Sequence, residues 1–265
     1  MWNFFVQLFY ICICVIYTLV KMRSIIPNLS VDCVVFGFDY KKLNVLLTKR
    51  ELKDPETGKI LFTDYTVQGH HMLENENIDQ AAIRVLRDKS GLKDIYLEQF
   101  YAFGDTDRML RERDQLWTKK AYPMVSEHVI SIGYYSLVDS SKVNPDEQHQ
   151  ETRWFPVDEL PELGFDHEKI IQKALSCLRV KLSREPIGFE LLPERFTLTQ
   201  MQTLYEIVLG TKFDRRNFRK KVAQMKYVIP LNKRQNGAAR KPAQEFIFSR
   251  DVYERTKKDK LGFTI

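Results

Sequence analysis

The chain has 265 residues, of which 44% are apolar and 29% are charged, and its formal net charge is +6. This length favours two domains over one, and the apolar content excludes a chain that is disordered throughout. The four cysteines form no CxxC pair and no zinc-ligand spacing. A disulfide-stapled scaffold is therefore excluded, and a reducing compartment is indicated.

The charge is unevenly distributed along the chain. Residues 193–265 contain 17 Lys and Arg against 7 Asp and Glu, whereas residues 1–192 contain 24 against 28. A strongly basic third on a mildly acidic body indicates that only this third meets a polyanion such as DNA. The alternative is a solvated basic face, and charge alone does not separate the two interpretations.

The N-terminal segment, residues 2–20, carries no charge and is long enough to cross a bilayer once. Lys21 and Arg23 follow, so a spanning helix would leave the rest of the chain in the cytoplasm as a membrane-tethered regulator or adaptor. The segment lacks the basic start and small-residue cleavage site of a secretory signal. Translation from Met22 would instead make residues 1–21 a start-site artefact. We favour that interpretation and expect a cytoplasmic protein without a membrane partner.

The apolar pattern of residues 28–184 predicts an α+β domain. Runs of β-prone residues predict strands, and apolar residues spaced by three and four predict helices. In chain order, the predicted elements are strands over Val31–Phe38 and Leu43–Leu47, a loop over Glu51–Lys59, a helix over Ile78–Lys89, strands over Ile95–Phe103, Val129–Val138 and Arg153–Val157, and a helix over Lys169–Leu182. Asp105–Glu127 is a charged stretch that we expect to form a long loop, and such loops often carry function.

The pattern changes in residues 185–265. Two helices are predicted, Phe196–Val208 with Thr197 or Thr199 as its cap, and Arg215–Met225 with Asp214 as its cap. Two β-prone runs follow, joined by the basic stretch NKRQNGAARKPAQ. Helix, turn, helix and basic hairpin is the order of a winged helix-turn-helix domain.

Residues 67–92 read VQGHHMLENENIDQAAIRVLRDKSGL. This run resembles the Nudix signature, Gly-x5-Glu-x7-Arg-Glu-U-x-Glu-Glu-x-Gly-U, in which U is aliphatic. The matching positions are Glu76, Arg84, Leu86, Gly91 and Leu92, and Phe165–His167 resembles the FDH segment of Nudix domains. The resemblance implies a Nudix-type α/β/α sandwich over residues 28–184.

The departures from this signature fall on the residues that carry its chemistry. The box glycine is replaced by His70, the glutamate after the arginine by Val85, and the two late glutamates by Asp88 and Lys89. Nudix hydrolases use these carboxylates to hold Mg²⁺ against a diphosphate, because Mg²⁺ requires oxygen ligands. We therefore expect no metal site, no other cofactor and no hydrolase activity. An active hydrolase that cleaves a nucleoside diphosphate derivative with Mg²⁺ is the alternative.

The second predicted helix of the basic third is the candidate DNA-reading element. A winged helix-turn-helix lays this helix in the major groove, where Arg and Asn read base edges and Lys contacts phosphates. The candidate DNA-binding residues are Arg215, Arg216, Asn217, Arg219, Lys220 and Lys221 on the helix, and Lys233, Arg234, Arg240 and Lys241 in the wing. The alternative is a structural appendage with a solvated basic face.

The combination of both parts is similar to the Nudix-related transcriptional regulators, on the run EPIGFELLPERFTLTQMQTLYEIVLGTKFDRRNFRKKV (residues 185–222). Within that family the chain resembles most the arabinose-responsive regulators of Bacteroides-type bacteria. The resemblance implies a homodimer on a double-stranded operator and a small effector, a sugar or nucleotide-sugar, in the old Nudix cleft. The effector-binding candidates are Arg50, His70, His71, Asp107, Arg108, Tyr134, Asp166 and His167.

Overall fold

A computed structural model describes residues 25–54, 56–93, 95–126, 128–140, 143, 152–234 and 243–256. The first part of the chain contains strands β1 Ile25–Phe38, β2 Leu43–Lys53, β3 Ile60–Thr66, β4 Gln68–Leu73, β5 Tyr96–Phe103, β6 Ile130–Asp139 and β7 Thr152–Pro156, with helices α1 Ile78–Ser90, α2 Glu112–Ala121 and α3 His167–Leu182. The second part contains a 3₁₀ turn at Ile187–Leu191, strands β8 Phe196–Thr197, β9 Val228–Arg234 and β10 Gln244–Phe248, and helices α4 Leu198–Leu209, α5 Arg215–Gln224 and α6 Arg250–Thr256.

A mixed seven-stranded sheet forms the first part, with β1 at its centre. Strand β1 pairs in parallel with β6 and antiparallel with both β2 and β4, and the sheet order is β3-β2-β1-β6-β5. Side chains alternate along β1: Val31, Cys33 and Val35 pack with α1, whereas Val34 and Phe36 pack with α3. This places one helix layer on each face, which is the α/β/α sandwich that the resemblance to Nudix domains implies.

Some predicted boundaries were wrong. Strand β2 continues to Lys53, which shortens the predicted loop over Glu51–Lys59, and strands β3 and β4 were not predicted. The predicted loop over Asp105–Glu127 contains helix α2. This helix was missed because it is mostly polar: its buried residues are Asp114 and Thr118, so no apolar stripe marks it.

The second part has the predicted winged-helix order. Thr197 caps α4 with a capping box to Gln200, and Gly210 ends that helix in the left-handed conformation. Asp214 caps α5 by accepting from the backbone amides of Arg216 and Asn217. Strands β8, β10 and β9 then form a small antiparallel sheet.

Helix α3 connects the two parts of the chain. Its first residue, His167, lies in the sandwich, and near its end the Arg179 guanidinium donates to the carbonyl of Val208 in α4 at 2.7 Å. One hydrophobic cluster runs from the sheet through α3 into α4 and α5, and includes Leu178, Leu204 and Phe218. The winged helix is thus packed onto the sandwich through shared apolar residues.

The N-terminal extension, residues 1–21, and Met22 lie outside the described residues, so its origin stays a prediction. Within the described ranges, no helix combines the length and the apolar character that membrane crossing requires.

Candidate functional site

A cavity of about 490 Å³ opens on the sandwich between the sheet, α2 and the turn before α3. That volume suits a small-molecule ligand. Six of the eight predicted effector residues line it, namely Arg50, His70, His71, Arg108, Asp166 and His167. The cavity therefore brings together residues that are up to 117 positions apart in the chain.

The other two predicted effector residues lie elsewhere. Asp107 is exposed and pairs with Lys169 at 3.5 Å. Tyr134 packs on the opposite face of the sheet with α1, where its hydroxyl donates to Asp79 at 2.5 Å. Because successive side chains of a strand point to opposite faces, Tyr134 faces α1 and points away from the cavity.

Arg50 forms the centre of a buried charged network. Arg50 lies within β2, beyond the predicted strand end at Leu47, with 5% of its surface exposed. Its guanidinium donates to both oxygens of Asp64, at 2.7 and 2.5 Å, and to Asp114 of α2 at 2.6 Å. The Arg50 Cζ atom lies 4.4 Å from the centroid of the Phe165 ring. These bonds attach α2 to the sheet at the cavity wall.

A second buried network surrounds Arg108. This residue donates to both oxygens of Asp166, at 2.7 and 2.9 Å, and to the carbonyls of Phe103 and Val129. Its Nη2 also lies 3.7 Å from Asp32. Arg108 thereby joins the segment before α2 to the turn that starts α3.

The two buried histidines of the cavity, His71 and His167, are neutral at pH 7. Burial lowers the pKa of His71 to about 4 and also lowers the pKa of His167. The Nδ1 atom of His167 accepts from the Val67 amide, which leaves its proton on Nε2, 3.9 Å from Asp32. Neutral rings at this depth can pair with polar ligand groups without the cost of a buried charge.

Helix α2 contributes cavity residues that sequence reasoning missed. Trp117, Thr118 and the following Tyr122 line the cavity, and Tyr122 packs edge-on against His71 with ring centroids 4.7 Å apart. A spacing of four between Asp114 and Thr118 places both on one helical face. That spacing was the available signal, but two polar residues do not distinguish an inward face from a solvated one.

The polar residues of the Nudix-like run, residues 67–92, form structural hydrogen bonds, and their arrangement does not fit a divalent cation. Glu76 accepts from Arg84 at 2.6 and 2.8 Å and from the Leu73 amide, and Arg84 also donates to the His71 carbonyl. Val85 is buried in the core, and Lys89 lines the cavity. Among the described residues no group of three His, Cys, Asp or Glu side chains is placed to hold a metal ion.

The outer face of α5 presents the predicted DNA-binding residues. Phe218 and Val222 are buried against the winged-helix core. All six helix candidates are exposed, namely Arg215, Arg216, Asn217, Arg219, Lys220 and Lys221. One face of α5 therefore carries five positive charges and no acidic residue.

The wing candidates are described only in part. Lys233 and Arg234 lie in β9, and the backbone of Arg234 pairs with Gln244 of β10. Arg240 and Lys241 lie outside the described residues. The contacts of the wing with DNA stay a prediction.

Comparison with known proteins identifies both parts of the chain. The NUDIX domain model matches residues 27–174, and the model of the NrtR DNA-binding winged helix domain matches residues 188–248. The crystal structure of Shewanella oneidensis NrtR complexed with a 27mer DNA has a similar fold. Its TM-score is 0.66 and its identity 24%, over 86% of this chain and 96% of that one.

Two sequence relatives bear different names. The chain is 26% identical over 234 residues to the ADPR responsive transcriptional repressor NtrR of Acinetobacter baylyi, covering 86% of this chain and 84% of that protein. It is also 26% identical over 146 residues to the ADP-ribose pyrophosphatase of Methanocaldococcus jannaschii, covering 55% and 72%. These relatives do not support the expected likeness to arabinose-responsive regulators of Bacteroides-type bacteria.

Proposed function

We propose, since the chain belongs to the Nudix domain family and continues into a winged helix, that it is a DNA-binding transcription regulator whose cavity senses ADP-ribose. Residues 28–184 form the effector-binding unit and residues 185–265 the DNA-binding unit. The observation that carries the proposal is a ligand-sized cavity and an exposed basic helix on one chain. In this chain Val85 and Lys89 replace two of the carboxylates of the Nudix signature.

ADP-ribose is the proposed effector because a relative that matches 86% of this chain is named for its response to ADP-ribose. ADP-ribose is a nucleotide with a terminal sugar, so it is a more specific form of the sugar or nucleotide-sugar effector that we expected from the sequence. Arg50, His70, His71, Arg108, Asp166 and His167 are the proposed effector contacts, because they line the cavity. Asp107 and Tyr134 are not proposed as contacts.

Coupling between the two sites runs through α3. This helix begins at the cavity with His167 and ends against α4, which packs on α5 within one hydrophobic cluster. A ligand that favours one position of α3 would shift the winged helix only by its differential affinity for the two positions. We further propose a homodimer in the cytoplasm, in which two copies of α5 meet a two-fold operator.

Fluorescence anisotropy tests the regulator. The full chain is titrated into DNA from upstream of its own gene and into random DNA, at two salt concentrations, with and without ADP-ribose. We expect tighter binding to the upstream DNA and a change of that affinity on adding ADP-ribose. Equal affinity for both DNAs under every condition would refute the proposal.

A hydrolase is the second candidate, because one relative is named an ADP-ribose pyrophosphatase. Incubation of the chain with ADP-ribose and Mg²⁺ distinguishes the two functions. We expect no AMP and no ribose 5-phosphate, because Glu76 is held by Arg84 and Lys89 lines the cavity. Turnover that is lost in Glu76→Gln would establish the enzyme.

A further inference from the structure

Two side chains of α4 bind the backbone of the residue that precedes the cap of α5. The Glu206 Oε1 atom accepts from the Phe213 amide at 3.0 Å and from the Gln202 side-chain amide at 2.9 Å. The same Gln202 Nε2 atom donates to the Phe213 carbonyl at 3.0 Å. Gln202 and Glu206 lie four residues apart and therefore share one face of α4. We call these three hydrogen bonds the α4 clamp.

The clamp acts on a short turn that is also fixed at both ends. The Glu206 carbonyl accepts from the amide of Gly210, which ends α4 in the left-handed conformation. Asp214 caps α5, and the Phe213 ring packs against Phe218 of α5 with ring centroids 5.9 Å apart. Phe213 therefore links the two helices, since its backbone is bound to α4 and its ring contacts α5.

The charge of Glu206 is unusual in this region. Residues 196–225 contain two acidic residues, Glu206 and Asp214, against six Lys and Arg. The hydrogen bond from the Phe213 amide lowers the pKa of the Glu206 carboxyl below its usual value, so the group is ionised at neutral pH. A carboxylate close to a DNA-binding surface repels phosphates. Both acidic residues instead accept backbone amides at the start of α5.

The turn borders the same groove as several DNA-binding candidates. The lining of this groove, which measures about 400 Å³, includes Lys212 and Phe213 of the turn and Asn217, Lys220 and Lys221 of α5. In a winged helix-turn-helix the second helix lies in the major groove while the first crosses the DNA backbone. The angle between α4 and α5 therefore decides whether side chains of α5 reach the base edges.

We propose that Gln202 and Glu206 are positioning residues, which set the angle of α5 through Phe213 so that α5 can read its operator. The proposal rests on the DNA-binding function proposed above and adds residues on which its sequence specificity depends. Base contacts require an aligned helix, whereas random DNA is bound through phosphates that the exposed basic side chains reach without the clamp. The clamp is thus required for specific binding and not for non-specific binding.

Glu206→Ala and Glu206→Gln separate the clamp from the charge. Both variants remove one negative charge and the Oε2 contact with Lys212, but glutamine keeps an Oε1 atom that accepts from Phe213 and Gln202. Anisotropy with the full chain gives the ratio of its affinities for upstream and random DNA. We expect Glu206→Ala to lower this ratio about tenfold, the effect of one or two lost hydrogen bonds. Glu206→Gln should keep the wild-type ratio, and both variants should bind random DNA equally.

Gln202→Met tests the other half of the clamp without a change of charge. Methionine has a similar length but no donor, so the hydrogen bonds to Glu206 and to the Phe213 carbonyl are lost together. The ratio should fall as in Glu206→Ala, while the affinity for random DNA stays that of the wild type. Thr203→Ala, on the same helix and outside the clamp, is the control and should leave both affinities unchanged.

Amide hydrogen exchange on the full chain without DNA separates positioning from a loss of folding. The Phe213 amide should exchange faster in Glu206→Ala than in the wild type and in Glu206→Gln, while the amides of α5 stay protected in all three proteins. If α5 loses protection in Glu206→Ala, the ratio measured for Gln202→Met decides.

Two results would overturn the proposal while the regulator function stands. One is a wild type that discriminates between the DNAs and variants Glu206→Ala and Gln202→Met that discriminate equally well. The other is a Phe213 amide that exchanges at the same rate in the wild type and in Glu206→Ala. Equal affinity of the wild type for both DNAs would instead refute the DNA-binding function itself, and with it the role of the clamp in reading DNA.

Discussion

The cavity and the outer face of α5 are both rich in charge, but their charges are held in opposite ways. In the cavity, Arg50 is buried and the Arg108 side chain is only 8% exposed, and each is bound to carboxylates from distant parts of the chain. On α5, the basic side chains are exposed. Buried ion pairs fix the local structure, because the removal of one partner leaves the other charge desolvated. Exposed charges contribute little to stability and are available to bind a partner.

The largest expected effect comes from breaking the Arg50 network. Arg50→Met leaves Asp64 and Asp114 buried without their shared cation, so we expect a loss of about 3–5 kcal/mol in the free energy of unfolding. Urea denaturation measures this loss. Arg87→Met is the control, because Arg87 forms an exposed pair with Asp88 at 3.3 Å and should cost less than about 1 kcal/mol. Similar losses in both variants would contradict the contrast.

The buried histidines predict a dependence of stability on pH. The pKa of His71 falls from 6.5 to about 4 on folding, so between these values the unfolded chain binds more protons than the folded one. Stability should therefore decrease as the pH falls from 6.5 to 4, by about 3 kcal/mol from this residue. His71→Gln should show a smaller decrease over the same window, measured by urea denaturation at each pH. Equal slopes in the two proteins would show that His71 is not buried as a neutral ring.

Close packing at Gly69 gives the third prediction. A Cβ atom at this position would lie 2.2 Å from the Asp32 carboxylate, which itself accepts from Ser131. Gly69→Ala should displace Asp32 and reduce stability by about 1–3 kcal/mol, as overpacking does. Gly104→Ala is the control, because its Cβ would meet only Ile130 at 3.8 Å. Equal melting temperatures for the two variants would argue against this contact.

The exposed face of α5 predicts the smallest effect on stability and a specific effect on DNA. Arg219→Ala should change the free energy of unfolding by less than about 0.5 kcal/mol, because the side chain is exposed. It should weaken binding to the upstream DNA by about 1–3 kcal/mol if it contacts a base. Lys220→Ala should weaken binding to all DNAs and lower the salt slope by about 1. Arg87→Ala, on α1, should alter neither DNA affinity nor salt slope.

The contrast between the exposed charges of α5 and the buried ion pairs of the cavity also explains which features could be predicted from the sequence. The α+β character of the first part, the helix order of the second part and the exposed residues of α5 follow from local signals, namely β-prone runs, helical spacing and the caps Thr197 and Asp214. The sandwich was implied by the resemblance to the Nudix signature. The carboxylate partners do not, because Arg50 meets Asp114 across 64 positions and no local pattern marks that pairing. Tyr134 was placed in the cavity wrongly, since the sequence does not tell which face of β6 meets α1.

Reciprocal coupling between the two sites tests the central claim most directly. ADP-ribose is titrated calorimetrically into the full chain alone and into the chain saturated with its upstream DNA. If ADP-ribose alters DNA affinity, linkage requires that DNA alters ADP-ribose affinity by the same factor, and we expect a factor of about 5–150. Tight binding of both ligands with identical ADP-ribose affinities in the two titrations would show that cavity and winged helix act independently, and would contradict a ligand-controlled regulator.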